Sequence, residues 1–141
     1  MASLFDISVR VFEKFFEEGF SSLNQAEQTL VCIRALVGEV DNGGFHAWLY
    51  NSSGEYAAET PESLVRICAY NTAKIVLDAL DGAGDIHIHR DGDARRDRLE
   101  AFTEEQDLLL DKLDARFARR SEDLETLLQG FVKDNRDCFD D

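Results

Sequence analysis

Proline, methionine and tryptophan each occur once in these 141 residues, and cysteine three times. Cys32, Cys68 and Cys138 are odd in number and widely spaced, and no CxxC pair exists. That argues against a structural zinc site. It assigns Cys32 and Cys68, both set among helical apolar residues, to the class of reduced, buried thiols. Positive charge is scarce as well: 15 Lys and Arg stand against 29 Asp and Glu, a formal net charge of −14. A field of that sign repels phosphate backbones and anionic lipid, so it excludes direct nucleic acid and membrane surfaces as partners. It leaves a basic protein as the natural partner, with solubility alone as the bland alternative. No segment approaches the roughly 18 consecutive apolar residues of a membrane helix. The opening "MASLFDISVRVFEKFF" has neither a basic n-region nor a clean apolar h-region, so the expectation is a cytoplasmic chain without a signal peptide.

What is present is amphipathic helix. The apolar fraction is 44% and the charged fraction 31%, as in soluble globular chains, and the length suits one domain with one core. Leu4, Ile7, Val11, Phe12, Phe15 and Phe16 recur at helical spacing, with Gly19 ending the first helix. Asn24 and Glu27 make a capping-box start. Ala26, Leu30, Ile33, Leu36 and Val37 then carry a second helix to about Val40. Thr60-Pro61 reads as a cap and first-turn proline, opening one long helix that ends at Asp81–Gly84. Residues 85–92 read as a surface loop, with a brief extended pairing open to Ile86 and Ile88. Asp93 is placed to cap a helix through Phe102, Thr103 with Gln106 to open one to about Arg120, and Ser121 to cap the last. No fixed-period repeat, low-complexity tract or linker is present. The expected fold class is all-α, a single compact domain spanning 1–141 with six to seven helices.

One stretch departs from the pattern: "EVDNGGFHAWLYNSSGEYA", Glu39 to Ala57. Gly43 and Gly44 permit positive φ and a sharp reversal after the second helix. Asp41 and Asn42 can bond the exposed backbone there. Phe45, Trp48 and Leu49 then fall on one face of a short helix, Phe45–Tyr50. Asn51, Ser52 and Ser53 stand ready for its free carbonyls. The bland reading is a structural corner. The functional reading is a small-ligand pocket at Asn42–Asn51, with Glu39, Asp41, Asn42, His46 and Asn51 converging. It is neither a P-loop, since GxxxxGK[ST] is absent, nor a dinucleotide turn, since it follows a helix.

On these residues the chain resembles a helical family of bacterial DNA-mimic-like proteins, largely described as a domain of unknown function. The shared pattern is an acid and a small apolar residue, then Asn-Gly-Gly-Phe, an aromatic short helix and Asn-Ser-Ser-Gly. It falls here on Glu39, Val40, Asn42, Gly43, Gly44, Phe45, Trp48, Tyr50, Asn51, Ser52, Ser53, Gly54 and Tyr56. The later "LDKLDARF…DLETLLQGFVKDN" is also similar, so the resemblance covers most of the chain. Leu49, where the pattern has an aromatic, and the loop "DGAGDIHIHRDGD" depart from it. The resemblance implies an all-α domain. For the member that named the family, it implies an acidic surface that imitates DNA phosphates and occupies a DNA-binding protein.

The charges offer a surface for such a role. Glu104, Asp107, Asp111 and Asp114 lie within roughly an 80° sector of one helix. Glu13 and Glu17 make an i, i+4 pair on the first helix. The tail adds Asp134, Asp137, Asp140 and Asp141. Such a stripe can meet the basic groove of a DNA-binding protein and steer its approach. The same physics serves an immunity or antitoxin-like inhibitor of a basic enzyme. The bland account is the polar side of an amphipathic helix, blunted by Lys112 and Arg116. Catalytic signals are weak. His87 and His89, with Asp85, Asp91 or Asp93, lack the helical spacing of metal ligands and read as a solvated loop. Ser52 and Ser53 have no GxSxG setting, and Cys32 is too buried for a nucleophile. The expectation is a non-enzyme with no cofactor and no metal.

Overall fold

The computed structural model describes residues 2–139, so Asp140 and Asp141 of the acidic tail lie outside it. The described residues form seven α-helices and no strand, and three of the six connections between helices carry a 3₁₀ segment. They are α1 Leu4–Glu18, α2 Gln25–Tyr50, α3 Thr60–Arg66, α4 Tyr70–Gly82, α5 Gly92–Glu100, α6 Glu104–Ala118 and α7 Leu124–Asp134. The domain is all-α, as expected. No helix among the described residues is long and apolar enough to cross a membrane.

Helix starts are set by side chains that satisfy first-turn N–H groups left without a helical acceptor. Ser3 with Asp6, Asn24 with Glu27, and Thr103 with Gln106 form reciprocal capping boxes. Two starts differ from expectation. Asp91, not Asp93, caps α5, because Arg95 holds the His89 and Arg90 carbonyls and fixes the chain just before Gly92. Asp123, not Ser121, caps α7 by accepting the Thr126 N–H at 3.1 Å; a carboxylate is the stronger acceptor. Thr60 is no cap either: it lies in the first turn of α3 and its hydroxyl donates to the Tyr56 carbonyl at 2.9 Å.

The long helix expected after Pro61 is two helices. Cys68 takes φ 67°, the left-handed region. Its N–H donates to the Val65 carbonyl at 2.9 Å, and the Ala69 N–H to the Leu64 carbonyl at 2.8 Å. This is a Schellman ending with cysteine where glycine is usual. Cys68 is therefore exposed rather than buried. The break expected at Asn51–Gly54 opens a 3₁₀ run, Ser52–Glu59. The 85–92 loop holds a 3₁₀ turn, Ile86–Ile88, rather than an extended pair, anchored by Ile86 in the core.

Helix α2 is the central post, touching α1, α3, α5, α6 and α7. Leu30, Ile33 and Leu36 on it are buried, with Leu64, Val76 and Leu128 around them. Helix α1 buries Ile7 and Val11 but leaves Phe16 78% exposed, against its expected place in the apolar face.

Candidate functional site

Helix α2 does not stop at Val40. It runs through Gly43 and breaks at Gly44, whose φ 77° and ψ −177° belong to a region essentially reserved for glycine. Of the two glycines only Gly44 has positive φ. Gly43 is needed for space: a Cβ there would lie 2.6 Å from the Ala47 Cβ. After the break, residues 45–50 wind as a short helical segment, as expected. Its first N–H, on Phe45, donates to Asp114 Oδ1 of α6 at 2.7 Å. A Cβ on Gly44 would strike that same carboxylate. Phe45 and Trp48 are buried, and the Phe45 ring meets Trp48 and Phe117 edge-on at 5.9 and 5.7 Å. Such pairs contribute about 0.5–1.5 kcal/mol each beyond burial.

The far end of the segment is closed by a residue that sequence reasoning missed. Arg95 of α5 is 1% exposed. Its Nε donates to the Leu49 carbonyl, its Nη2 to the Asn51 carbonyl at 2.9 Å, and its Nη1 to the His89 and Arg90 carbonyls. A guanidinium thus supplies donors that the last turn of a helix lacks. Gly54 makes room for it, since a Cβ there would collide with Arg95 Nε and the Leu49 carbonyl. Ser53 Oγ donates to the Trp48 carbonyl at 2.8 Å. The glycine and serine of "NSSG" are thereby explained by packing. Arg95 left no sequence signal, because it stands in the polar run "DARRDR" beside two other arginines.

The proposed ligand set of the corner is bonded within the fold. Asn51 Nδ2 donates to Glu39 Oε2 at 2.6 Å, and Asn42 Nδ2 to the Gly38 carbonyl at 2.9 Å. Asp41 lies 3.5 Å from Arg120. His46 stacks on Tyr50, with Arg96 over the same ring. Beside the corner, α1 and α2 enclose a groove of about 380 Å³ that reaches Glu39, Asn42, Ser52 and Tyr56.

The acids divide. Glu104, Asp107 and Asp111 are exposed, whereas Asp114 is half-buried at the corner and leaves the open stripe. Burial pushes the Asp114 carboxyl above its ordinary range, partly offset by the Phe45 N–H. Arg116 does not blunt the stripe: it turns to Asp78 at 2.9 Å, and Lys112 makes no ion pair within 4.0 Å among the described residues. Glu13 and Glu17 are exposed on α1. Helix α1 lies over the Val31, Ala35 and Gly38 side of α2, and α6 reaches the corner through Asp114 and Phe117.

Among the described residues no three His, Cys, Asp or Glu side chains come together to hold a metal. Asp85 is engaged by Arg98 and lies 3.8 Å from His89; Asp93 pairs with Arg96. The Cys32 thiol, buried among α2 and α3, is pushed up to about 11 by that burial. It is protonated at neutral pH and unsuited to attack.

A family model described as DMP19-like protein matches residues 21–135. No curated protein and no solved structure matches the chain.

Proposed function

The chain belongs to the DMP19-like protein family, and we propose that it is a non-catalytic, acidic interaction module that occupies a basic protein, in the manner of a DNA mimic. One observation carries the reading: Glu104, Asp107 and Asp111 stand exposed in a row on α6 with no cation paired to them among the described residues. The three charges stand about 5 Å apart along the helix axis, a spacing of the same order as, though wider than, the one charge per about 3.4 Å of a single duplex strand. Such a row draws in a basic groove and fixes its orientation, and salt weakens it.

The test is affinity capture from lysate of the source cell at low and then high salt, with mass spectrometry of what is retained. The expected result is a basic DNA-binding protein held at low salt, released at high salt, and displaced from its DNA by this chain. Asp107→Lys with Asp111→Lys weakens that complex about tenfold or more while leaving the fold intact. A captured nuclease or other toxin assigns the chain to the immunity class instead. An unchanged complex in the charge-reversed variant removes α6 as the contact. The absence of any salt-sensitive partner removes the reading and returns attention to the groove beside Asn42.

A further inference from the structure

Helix α1 presents three different sides. At 100° per residue, Leu4, Ile7, Val11 and Phe15 form the side toward the core. Phe5, Val9, Phe12 and Phe16 fall within about 60° of one another on the next side, and Asp6, Glu13 and Glu17 within about 40° beyond them. The middle side faces water: Phe5 is 73% exposed, Val9 42% and Phe16 78%. The other large exposed apolar residues are scattered over α2, α3, α4, α6 and the 85–92 turn.

The band continues into two recesses. Phe12 and Phe16 line the groove of about 380 Å³ against α2. Phe16 also lines a second, of about 610 Å³, with Phe20 and Tyr56. The aromatic rings form one connected set, with Phe15 5.2 Å from Phe16 and 5.5 Å from Tyr56. Acids border the band on both sides: Glu13 and Glu17 along α1, and Glu39, Glu55 and Glu59 across the recesses. The cations at the rim are already held, Arg34 by Glu125 at 2.6 Å and Arg90 by Glu59. Lys14, past the acid row, is held by Glu27 at 3.2 Å.

We propose that this face docks a basic amphipathic helix of the partner. Its apolar side chains lie on Phe5, Val9 and Phe16 and enter the recess beside Tyr56. Its Lys or Arg residues meet Glu13 and Glu17 on one edge and Glu39 on the other. The proposal rests on the reading of the partner as a basic protein, and adds to it the contact face and the kind of segment that fits. Charge decides among occupants: a second copy would set one acid row against another, each chain carrying −14, and anionic lipid would meet the same repulsion.

The probe is a fluorescent Leu/Lys peptide of roughly 18 residues with leucine at i, i+3, i+4 and i+7, set beside a composition-matched scramble. Anisotropy is measured on the full chain. The patterned peptide binds at least about tenfold tighter than the scramble, and Phe5→Ala with Phe16→Ala removes that advantage, at about 0.3 M salt as well. Glu13→Gln with Glu17→Gln weakens binding at low salt only. Circular dichroism confirms that these exposed substitutions leave the helices formed. Equal binding of the scramble, or unchanged binding by the Phe variant, overturns the proposal. So does a wild-type dimer in sedimentation that the Phe variant dissolves, because it gives the face to a second copy. Asp107→Lys with Asp111→Lys leaves peptide binding in place. Failure of the peptide with a basic partner still captured therefore sinks this face alone, and loss of the partner reading leaves the peptide result standing.

Discussion

The Asp114 carboxylate accepts the Phe45 backbone N–H at 2.7 Å, so a residue of α6 caps the segment that restarts after Gly44 in α2. The bond needs an acceptor more than it needs a charge. Burial holds this carboxyl above its ordinary range. A raised value means that its favourable contribution is full below the unfolded value and is lost as pH rises through the folded one. Asp114→Asn is therefore expected to lie within about 0.5 kcal/mol of wild type at neutral pH, and Asp114→Ala to lose about 1 kcal/mol. Urea unfolding of both variants checks this. Equal losses would make the charge, not the acceptor, the stabilising part.

Gly44 should tolerate a side chain less well than Gly43. Its backbone region costs other residues about 1–3 kcal/mol, and a Cβ also meets the Asp114 carboxylate. Gly43→Ala meets only the Ala47 methyl, from helical backbone, and is the milder change. A double-mutant cycle separates the terms. Asp114→Ala placed on Gly44→Ala recovers the collision but not the backbone strain, so the two should couple. Additive losses would show that the carboxylate moves aside freely.

Arg95→Met keeps the length of the stem and removes the donors. The Leu49 carbonyl then loses its Arg95 donor, at about 1–3 kcal/mol for a buried group left unsatisfied, whereas the Asn51 carbonyl keeps the Gly54 N–H at 3.0 Å. Arg95→Lys recovers only part, since a point charge cannot span carbonyls from two segments. Gly54→Ala should reproduce the defect with Arg95 intact, by pushing the guanidinium off those carbonyls. Thermal unfolding of the three variants tests the set, and a stable Gly54→Ala protein would separate the glycine from the arginine.

Element type was legible in this sequence because apolar spacing and capping boxes are local. Asn24–Glu27 and Thr103–Gln106 place their helices correctly. The missed features depend on residues far apart in the chain. Nothing near Asp114 shows that an N–H 69 positions away will claim it, so spacing alone put it in the acid stripe with Asp107 and Asp111. Arg95 looks like the other arginines of its run until the turn after Tyr50 folds against it. The break at Cys68 was hidden because glycine, its usual mark, is absent. Of the candidate site, the exposed acids of α6 and the aromatic corner were readable. The exposed side of α1 was not, because Phe12 and Phe16 satisfy the helical period whether they face the core or water.

Acid should unfold the chain partly through Glu122, another carboxylate that counts toward the net charge yet works inside the fold. It accepts the Thr72 N–H and hydroxyl, both at 2.7 Å, and the Asn71 N–H at 3.1 Å, at the start of α4. Burial pushes this carboxyl up, but those bonds outweigh it and hold it below its ordinary range. Asp78, drawn down by Arg116, acts in the same direction. For a lowered carboxyl, the stabilisation is present above the unfolded value, about 4 for these groups, and disappears as pH falls through the folded one. Glu122→Gln should therefore be less stable than wild type at neutral pH, and should lose less when the pH is taken from about 5 down to 3. Urea midpoints across that window decide it. Parallel curves for the two proteins would mean that Glu122 contributes hydrogen bonds without a charge-dependent part.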